Sequence, residues 1–443
     1  MARILIVWGL WGPYHCKRFE RLRECALQAG HTVTGLALFK SSSVNRWQSP
    51  PLPSGVVDVR LGEDEARFPL KKVGRFFTLM RELKPDVALL PSYWHWSLIL
   101  NLAARFTGAR VVLMSDTHAG TARARGLKSF LKARLLRSFS SALVAGIPHR
   151  RYFASLGLPE EKIFTGYDAV DNDYFTINAA SVRRQAIEFR RKYALPERYF
   201  LSLGRFVAKK NLPVLIRAYR KLLDSSQGCQ THLVMVGSGE EESRFKALCQ
   251  ELRLPVYQKS SAGTQEASSG KGESAPGVHF YGFRQVEENP VFYALADAFV
   301  LPSLWEEWGL VVNEAMASGL PVIVSETVGC AEDLLKPGRP AAFEEMKLGG
   351  SLEMLKGIRQ NGFVFDPRSH ESLAKALSAL ASSSALRNVM GASSRMVVEN
   401  FSCDQFACNA LRAARVAMGE NPLNLVDPAG AGELMNLDSK LSS

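Results

Sequence analysis

Apolar residues fall in short runs separated by longer mixed segments, and this alternation sets the first expectation. Residues 3–9 read as a buried strand. A turn holding Gly9, Gly12 and Pro13 follows, then a helix over 14–29 that stops at Gly30. Residues 32–39 and 56–61 read as the next strands, with a Ser/Pro-rich loop over 41–53 between them and a helix over 69–83 after them. Further strand-length apolar runs lie at 86–90, 110–114 and 142–145, with helical patterns between them. The pattern then restarts. A helix over 181–193 ends before Pro196; 199–203, 232–236, 278–281, 298–301 and 321–324 read as strands; 211–223 and 240–252 read as helices. Strands that are apolar throughout and alternate with helices mark a parallel sheet covered on both faces. The prediction is two open α/β units joined near residues 170–196.

Two segments look inserted into this pattern. Residues 258–277 are rich in Ser, Gly, Ala and Lys and read as a low-complexity loop, and residues 338–359 separate two otherwise regular pieces. Residues 420–443 have no clear period and read as a loose tail. The apolar stretch 87–106 is broken by Pro91, His95 and Asn101, so a strand followed by a helix explains it better than a membrane span of about 20 residues. The apolar run at residues 4–10 is short and meets Gly12 and Pro13 without a small-residue cleavage site, which does not read as a signal peptide.

Composition narrows the class. With 443 residues, 47% hydrophobic and 22% charged, the chain is an ordinary globular protein long enough for two or three cores. Its seven cysteines (Cys16, Cys25, Cys229, Cys249, Cys330, Cys403 and Cys408) are scattered and form no C-x-x-C pair. That argues against a disulfide framework or a zinc site and for a reducing, cytoplasmic setting. The net charge of +12 is uneven: residues 1–195 carry 30 Lys+Arg against 15 Asp+Glu, and the remainder 25 against 28. No acid stands between Asp116 and Glu160, a stretch that includes Arg123, Arg125, Lys128, Lys132, Arg134 and Arg137. Two readings fit: attraction to an anionic surface or substrate, or a solvated helix face. No nucleic-acid-binding motif accompanies the charge, so nucleic acid is not the expected partner.

Four features in the second half carry candidate chemistry. Gly204 and Arg205 sit at a strand end with Lys210 close behind. Ligands bind at such ends in open α/β sheets, and an Arg fork with a Lys point charge suits a diphosphate, although a basic loop is also commonly just solvated. Gly237 and Gly239 follow the strand at 232–236; they allow close backbone approach to a ligand, or form a plain tight turn. Third is the string over 302–322, with Glu306 in a loop after a strand, Gly309, Leu310 and Val311 opening a helix, and Glu314 about one turn in. Free amides at a helix start bind anions or hydroxyls, and carboxylates accept well from sugar hydroxyls, at about 1.5–3 kcal/mol per charge-assisted bond. Fourth, Gly329 with Glu332 is followed by 361–366, a turn and strand that close the sheet.

These pieces together resemble the retaining glycosyltransferases of family 4, which share the GT-B architecture: two Rossmann-like parallel-sheet domains facing across a cleft. The resemblance runs over about residues 4–418 and is densest over 203–366. It implies an acceptor-side domain over 1–190, with a helix at about 401–418 packing back on it, and a nucleotide-sugar domain over 196–400. It implies that Arg205 and Lys210 hold the donor diphosphate and that Glu306 lies by the donor sugar. The amides of Gly309, Leu310 and Val311 would contact sugar and phosphate, Glu314 the ribose hydroxyls, and Gly12 would approach the diphosphate from the other domain. Family members often carry a His-Asp-like pair after the strand at 111–114; here the string is Ser115-Asp116-Thr117-His118, so Asp116 matches and His118 stands three residues beyond the histidine slot, either reaching in or serving as a loop histidine. His95, between two tryptophans, reads as a packing residue. Asp171-Asn172-Asp173 spells a D-x-D but falls between the domains and reads as structural.

The reaction implied is sugar transfer with retention of anomeric configuration, without an enzyme nucleophile, driven by stabilised leaving-group departure. With Arg205 and Lys210 neutralising the diphosphate, no metal or other cofactor is expected. The expected partners are a nucleotide sugar, a sugar or lipid-linked acceptor, and an anionic membrane met by residues 123–139, from Arg123 to Phe139, peripherally on its inner face. A sugar-nucleotide epimerase of the same fold is the competing enzyme, and a non-catalytic partner in a polysaccharide assembly complex the competing non-enzyme.

Overall fold

The computed structural model describes residues 1–41, 50–64, 73–91, 96–122, 127–225, 229–259, 275–338 and 358–425. His95, the start of the basic segment at 123–126, most of the two insertions and the tail beyond 425 lie outside the described residues.

Seven strands form the first sheet: β1 (Arg3–Trp8), β2 (Thr32–Ser41), β3 (Val56–Asp64), β4 (Val87–Pro91), β5 (Arg110–Ser115), β6 (Ser141–Val144) and β7 (Ile163–Phe164), in the order β3-β2-β1-β4-β5-β6-β7. Eight form the second: β8 (Tyr199–Leu203), β9 (His232–Val236), β10 (Val256–Gln258), β11 (Val278–Phe280), β12 (Ala298–Leu301), β13 (Val322–Ser325), β14 (Ile358–Arg359) and β15 (Gly362–Phe365), in the order β10-β11-β9-β8-β12-β13-β15-β14. Every pairing is parallel except β14 on β15. The period-two alternation of each strand feeds two cores. Along β1, Ile4, Ile6 and Trp8 enter one hydrophobic cluster and Leu5 and Val7 the other; along β8, Tyr199 and Leu201 face one side and Phe200 the other.

The helix Cys403–Ala417 lies on the first sheet, with Phe406, Ala410 and Ala414 in the cluster that holds Trp8, Phe19 and Met114. Ser141 donates to Ala413 O at 2.7 Å and Asn409 to Thr165 O at 2.9 Å. The chain thus passes between the halves twice, and the two passes run side by side: Val170 bridges Ser402, and Asn172 donates to Val398 O at 2.8 Å.

Several elements differ from the sequence expectation. The helix expected over 181–193 is two helices, Asn172–Arg184 and Ala186–Tyr193, meeting at Gln185. The first starts early because the Asp171 carboxylate accepts from the Tyr174 amide at 3.1 Å and caps it. Asp171 also pairs with Lys17 at 3.3 Å, so the D-x-D serves a helix start and a contact between the halves. The expected insertion at 258 begins one residue too early, since Gln258 ends β10, a three-residue strand too short to show a period. Among the described residues, no helix is long and apolar enough to cross a membrane.

Candidate functional site

In each sheet the strand order reverses beside the first strand, and a crevice opens where neighbouring strands lead their loops to opposite sides. In the second sheet this point lies between β8 and β12. The loop after β8 holds Gly204, Arg205 and Lys210; the loop after β12 holds residues 302–309. Hydrogen bonds join them: the Leu304 backbone amide donates to Lys209 O at 2.8 Å and the Asn211 side-chain amide to Pro302 O at 3.1 Å.

Glu306 is buried in this crevice. Lys210 Nζ lies 2.7 Å from its Oε1 and Lys209 Nζ 3.3 Å from its Oε2, and the Ser303 hydroxyl donates to Oε1 at 3.3 Å. Burial alone would raise the Glu306 carboxyl, but the two ammonium groups outweigh it and hold the group below its ordinary range. Lys209 also reaches Glu307 at 3.1 Å, so one ammonium ties two adjacent carboxylates. Arg205 on the same loop is exposed and has no ion pair among the described residues. Gly204, Arg205, Lys210, Leu301 and Pro302 line a small crevice together.

Gly309 adopts φ 108°, a left-handed turn that starts the helix Leu310–Ala317. Leu310 and Val311 give that helix its first-turn amides, which have no partner within the helix. Glu314 lies one turn in and is 2% exposed. Its Oε1 accepts from the Tyr14 hydroxyl at 2.7 Å, and its Oε2 from the Tyr293 hydroxyl at 3.0 Å and the Asn289 amide at 3.4 Å. Burial pushes the Glu314 carboxyl up to about 7, and the three donors offset this only in part. Tyr14 comes from the other half. Gly12 caps its helix, Pro13–Gln28, whose first turn carries the phenol that reaches Glu314.

Asp116 and His118 follow β5. Burial raises the Asp116 carboxyl, and the nearby Glu307 carboxylate raises it further, while Arg18 and Lys209 offset part of the effect. Arg18 is buried and lies 3.6 Å from Asp168, whose carboxyl burial and Asp116 push up to about 7. His118 Nε2 stands 2.9 Å from Glu306 O, and its Nδ1 accepts from the Gly120 amide at 3.2 Å. Both ring nitrogens are therefore engaged with backbone, and the ring meets the Glu306 main chain rather than its carboxylate.

Gly237 and Gly239 serve packing between loops. A Cβ on Gly237 would stand 1.8 Å from Gly204 O, and one on Gly239 2.2 Å from Phe206 O. Gly329 does the same for the acidic loop, where a Cβ would meet Glu307 O at 1.8 Å and the Gly329 amide donates to Glu306 O at 3.1 Å.

The structure thus joins Lys210 and His118 to Glu306 by direct contacts, lines one small crevice with Lys210, Gly204 and Arg205, packs Gly237 against Gly204, sets Asp116 near the Glu307 carboxylate, and opens with Gly309, Leu310 and Val311 the helix that carries Glu314 one turn on. Sequence reasoning missed Lys209, Tyr14, Asn289, Tyr293 and His149. Only Lys209 had a local signal, its place beside Lys210 in the short turn Ala208–Lys210.

Residues 197–383 match the family described as glycosyl transferases group 1. An uncharacterized glycosyltransferase of Methanocaldococcus jannaschii is 27% identical over 263 residues, 59% of this chain and 55% of that protein. The mannosylfructose-phosphate synthase of Agrobacterium fabrum is 32% identical over 160 residues, 36% of this chain and 31% of that one. The match therefore spans just over half the length of the first relative and under a third of the second. Among solved structures, Anabaena HepE in complex with UDP superposes with a TM-score of 0.61 at 14% identity, over 94% of this chain and all of that one. The fold is the GT-B architecture.

Proposed function

We propose that this protein, in which residues 197–383 form a domain of the glycosyl transferases group 1 family, moves a sugar from a nucleotide-sugar donor to an acceptor in the synthesis of a polysaccharide, glycolipid or related glycoconjugate. The observation that carries the reading is the Lys210–Glu306 contact at 2.7 Å in the crevice between β8 and β12, beside a helix start and an exposed Arg205 that has no ion pair among the described residues. Cations and helix amides there suit a diphosphate, and the two buried glutamates suit the hydroxyls of sugar and ribose. The UDP held by HepE supports a nucleoside diphosphate as the leaving group.

In the proposed reaction the bond from the anomeric carbon to the diphosphate oxygen breaks and the acceptor hydroxyl bonds to that carbon on the same face. The acceptor's proton passes to the leaving diphosphate. Arg205, Lys210 and the Leu310 and Val311 amides stabilise the charge that develops as the diphosphate departs, which removes the need for a metal. Glu306 accepts from the donor sugar, and Asp116 and His118 close the site from the other half.

The acceptor is a sugar or lipid-linked sugar on the cytoplasmic side of a membrane. Residues 123–139 are proposed to meet its anionic surface, with Phe130, 65% exposed on the helix Leu127–Leu136, as the apolar contact. Lys132 does not take part: it is buried against Tyr152, and burial lowers its ammonium to about 8.

A thermal-shift panel of UDP-, GDP- and ADP-sugars tests the proposal, with one class expected to raise the melting temperature by several degrees. Product analysis with donor alone separates transfer from isomerisation. No shift with any donor, or conversion of the donor to an isomeric nucleotide sugar, refutes it.

A further inference from the structure

The two halves meet behind the candidate site through buried contacts that no part of the proposed reaction uses. The helix Ile147–Ser155 of the first half begins at Gly146, which is pressed against the second half. A Cβ there would stand 2.3 Å from Asp333 Oδ2 and 2.6 Å from the Trp308 ring. The Ile147 amide donates to both Asp333 oxygens, at 3.1 and 3.0 Å. These contacts fix the start of the helix on the short helix Ala331–Leu334, through Asp333, and against Trp308 of the loop that carries Glu306.

His149, two residues on, is fully buried, and its Nε2 lies 2.9 Å from Glu307 O. No other donor reaches that carbonyl among the described residues. A carbonyl accepts only, so Nε2 carries the proton; Nδ1 is buried without a hydrogen-bond partner. Burial lowers His149 to about 4, which keeps the ring neutral near neutral pH. His118 does the same one residue earlier, with Nε2 2.9 Å from Glu306 O. The two rings meet edge to face at 5.1 Å, and His149 lies 5.8 Å from Trp308. Two histidines of one half thus donate to consecutive carbonyls of the other, and the peptide planes they hold are those that aim Glu306 and lead into Gly309.

We infer that His149 is a positioning residue: with His118 it fixes the main chain of Glu306 and Glu307, so that the donor-site carboxylate and the helix start are set in place by closure of the two halves. The inference rests on the nucleotide-sugar reading of the site. A buried carbonyl deprived of its donor turns toward another partner or admits water, and either rotates the peptide beside Glu306. A displacement of about 1 Å in a positioning element costs on the order of a hundredfold in rate while leaving ground-state binding largely intact.

The test compares His149→Ala with His149→Gln, whose amide can donate from nearly the same place. His149→Ala is expected to lower kcat for donor turnover about 10- to 100-fold with donor KM changed less than about threefold, and His149→Gln to recover most of the loss. Wild-type kcat in His149→Ala overturns the inference. So does a parallel loss of kcat, KM and melting temperature that Gln does not rescue, because that is the signature of a merely structural residue. Small-angle scattering of the substrate-free chain gives a second readout that needs no activity: His149→Ala should enlarge the radius of gyration, and an unchanged radius counts against closure by this contact. If the wild type turns over no nucleotide sugar, the functional reading fails and scattering alone decides the role of His149.

Discussion

Replacing Glu314 with Gln should stabilise the protein at alkaline pH and leave it nearly unchanged in acid. Glu314 is 2% exposed and its three partners are all neutral: Tyr14, Tyr293 and Asn289. Burial lifts its carboxyl from an ordinary 4.5 to about 7. At 1.36 kcal/mol per unit, a displacement of about 2.5 units corresponds to about 3 kcal/mol. The folded state holds the proton more tightly than the unfolded chain, so the unfolded chain binds fewer protons between the two values. Stability therefore falls as pH rises from about 4.5 to about 7, and the full cost of ionised Glu314 is present above that window. A glutamine fits the same space. Both tyrosine hydroxyls can turn to accept, and Asn289 has an Oδ1 without a hydrogen-bond partner that an amide flip would present. Urea melts of the wild type and Glu314→Gln from pH 4.5 to 8.5 should show a gap that grows toward about 3 kcal/mol in favour of the variant. A gap independent of pH, or one favouring the wild type at pH 8.5, refutes the reasoning. A ribose donating hydroxyls to the carboxylate would favour the ionised form, so nucleotide affinity should rise with pH across the same window in the wild type and not in the variant.

Arg205 has no ion pair among the described residues, so Arg205→Ala should keep the wild-type melting temperature within about 1 °C while cutting nucleotide-sugar turnover about 100-fold or more, as judged by nucleoside diphosphate release. Lys210→Ala should lower turnover and stability together, because it breaks a buried pair at 2.7 Å, and a stability loss of about 3 kcal/mol is expected in denaturant melts. Gly329→Ala forces a methyl to within 1.8 Å of Glu307 O; melts should show a loss of about 1–3 kcal/mol, and turnover should fall with the displaced Glu306 loop. Co-sedimentation with anionic vesicles should weaken as salt is raised, and binding insensitive to salt would remove the membrane contact.

The strands were legible because parallel sheets bury both faces, so β1, β8 and β12 read as unbroken apolar runs. The strands that escaped, β7, β10 and β14, have two, three and two residues, too few for any period to register. The acidic string was legible because Glu306, Gly309 and Glu314 lie within one loop and helix. Tyr14 and His149 were not, because their partners stand 300 and 158 residues away in sequence and nothing near them marks the contact. The glycines taught a different lesson: Gly237 reads from sequence either as a place where a ligand approaches the backbone or as a plain tight turn, and in the fold a Cβ there would stand 1.8 Å from the Gly204 carbonyl. A residue that must be small tells that something is close, and only the fold tells what.

The return of the helix Cys403–Ala417 to the first sheet has a practical meaning for anyone exchanging first halves between related chains. A fragment cut near residue 190 leaves the cluster around Trp8 and Met114 without Phe406, Ala410 and Ala414, and so exposes an oily face to water. A chimera that swaps the first half must therefore carry two pieces of gene, the beginning and a stretch near the end. The single bridge between Val170 and Ser402 is the seam along which such a graft would be sewn.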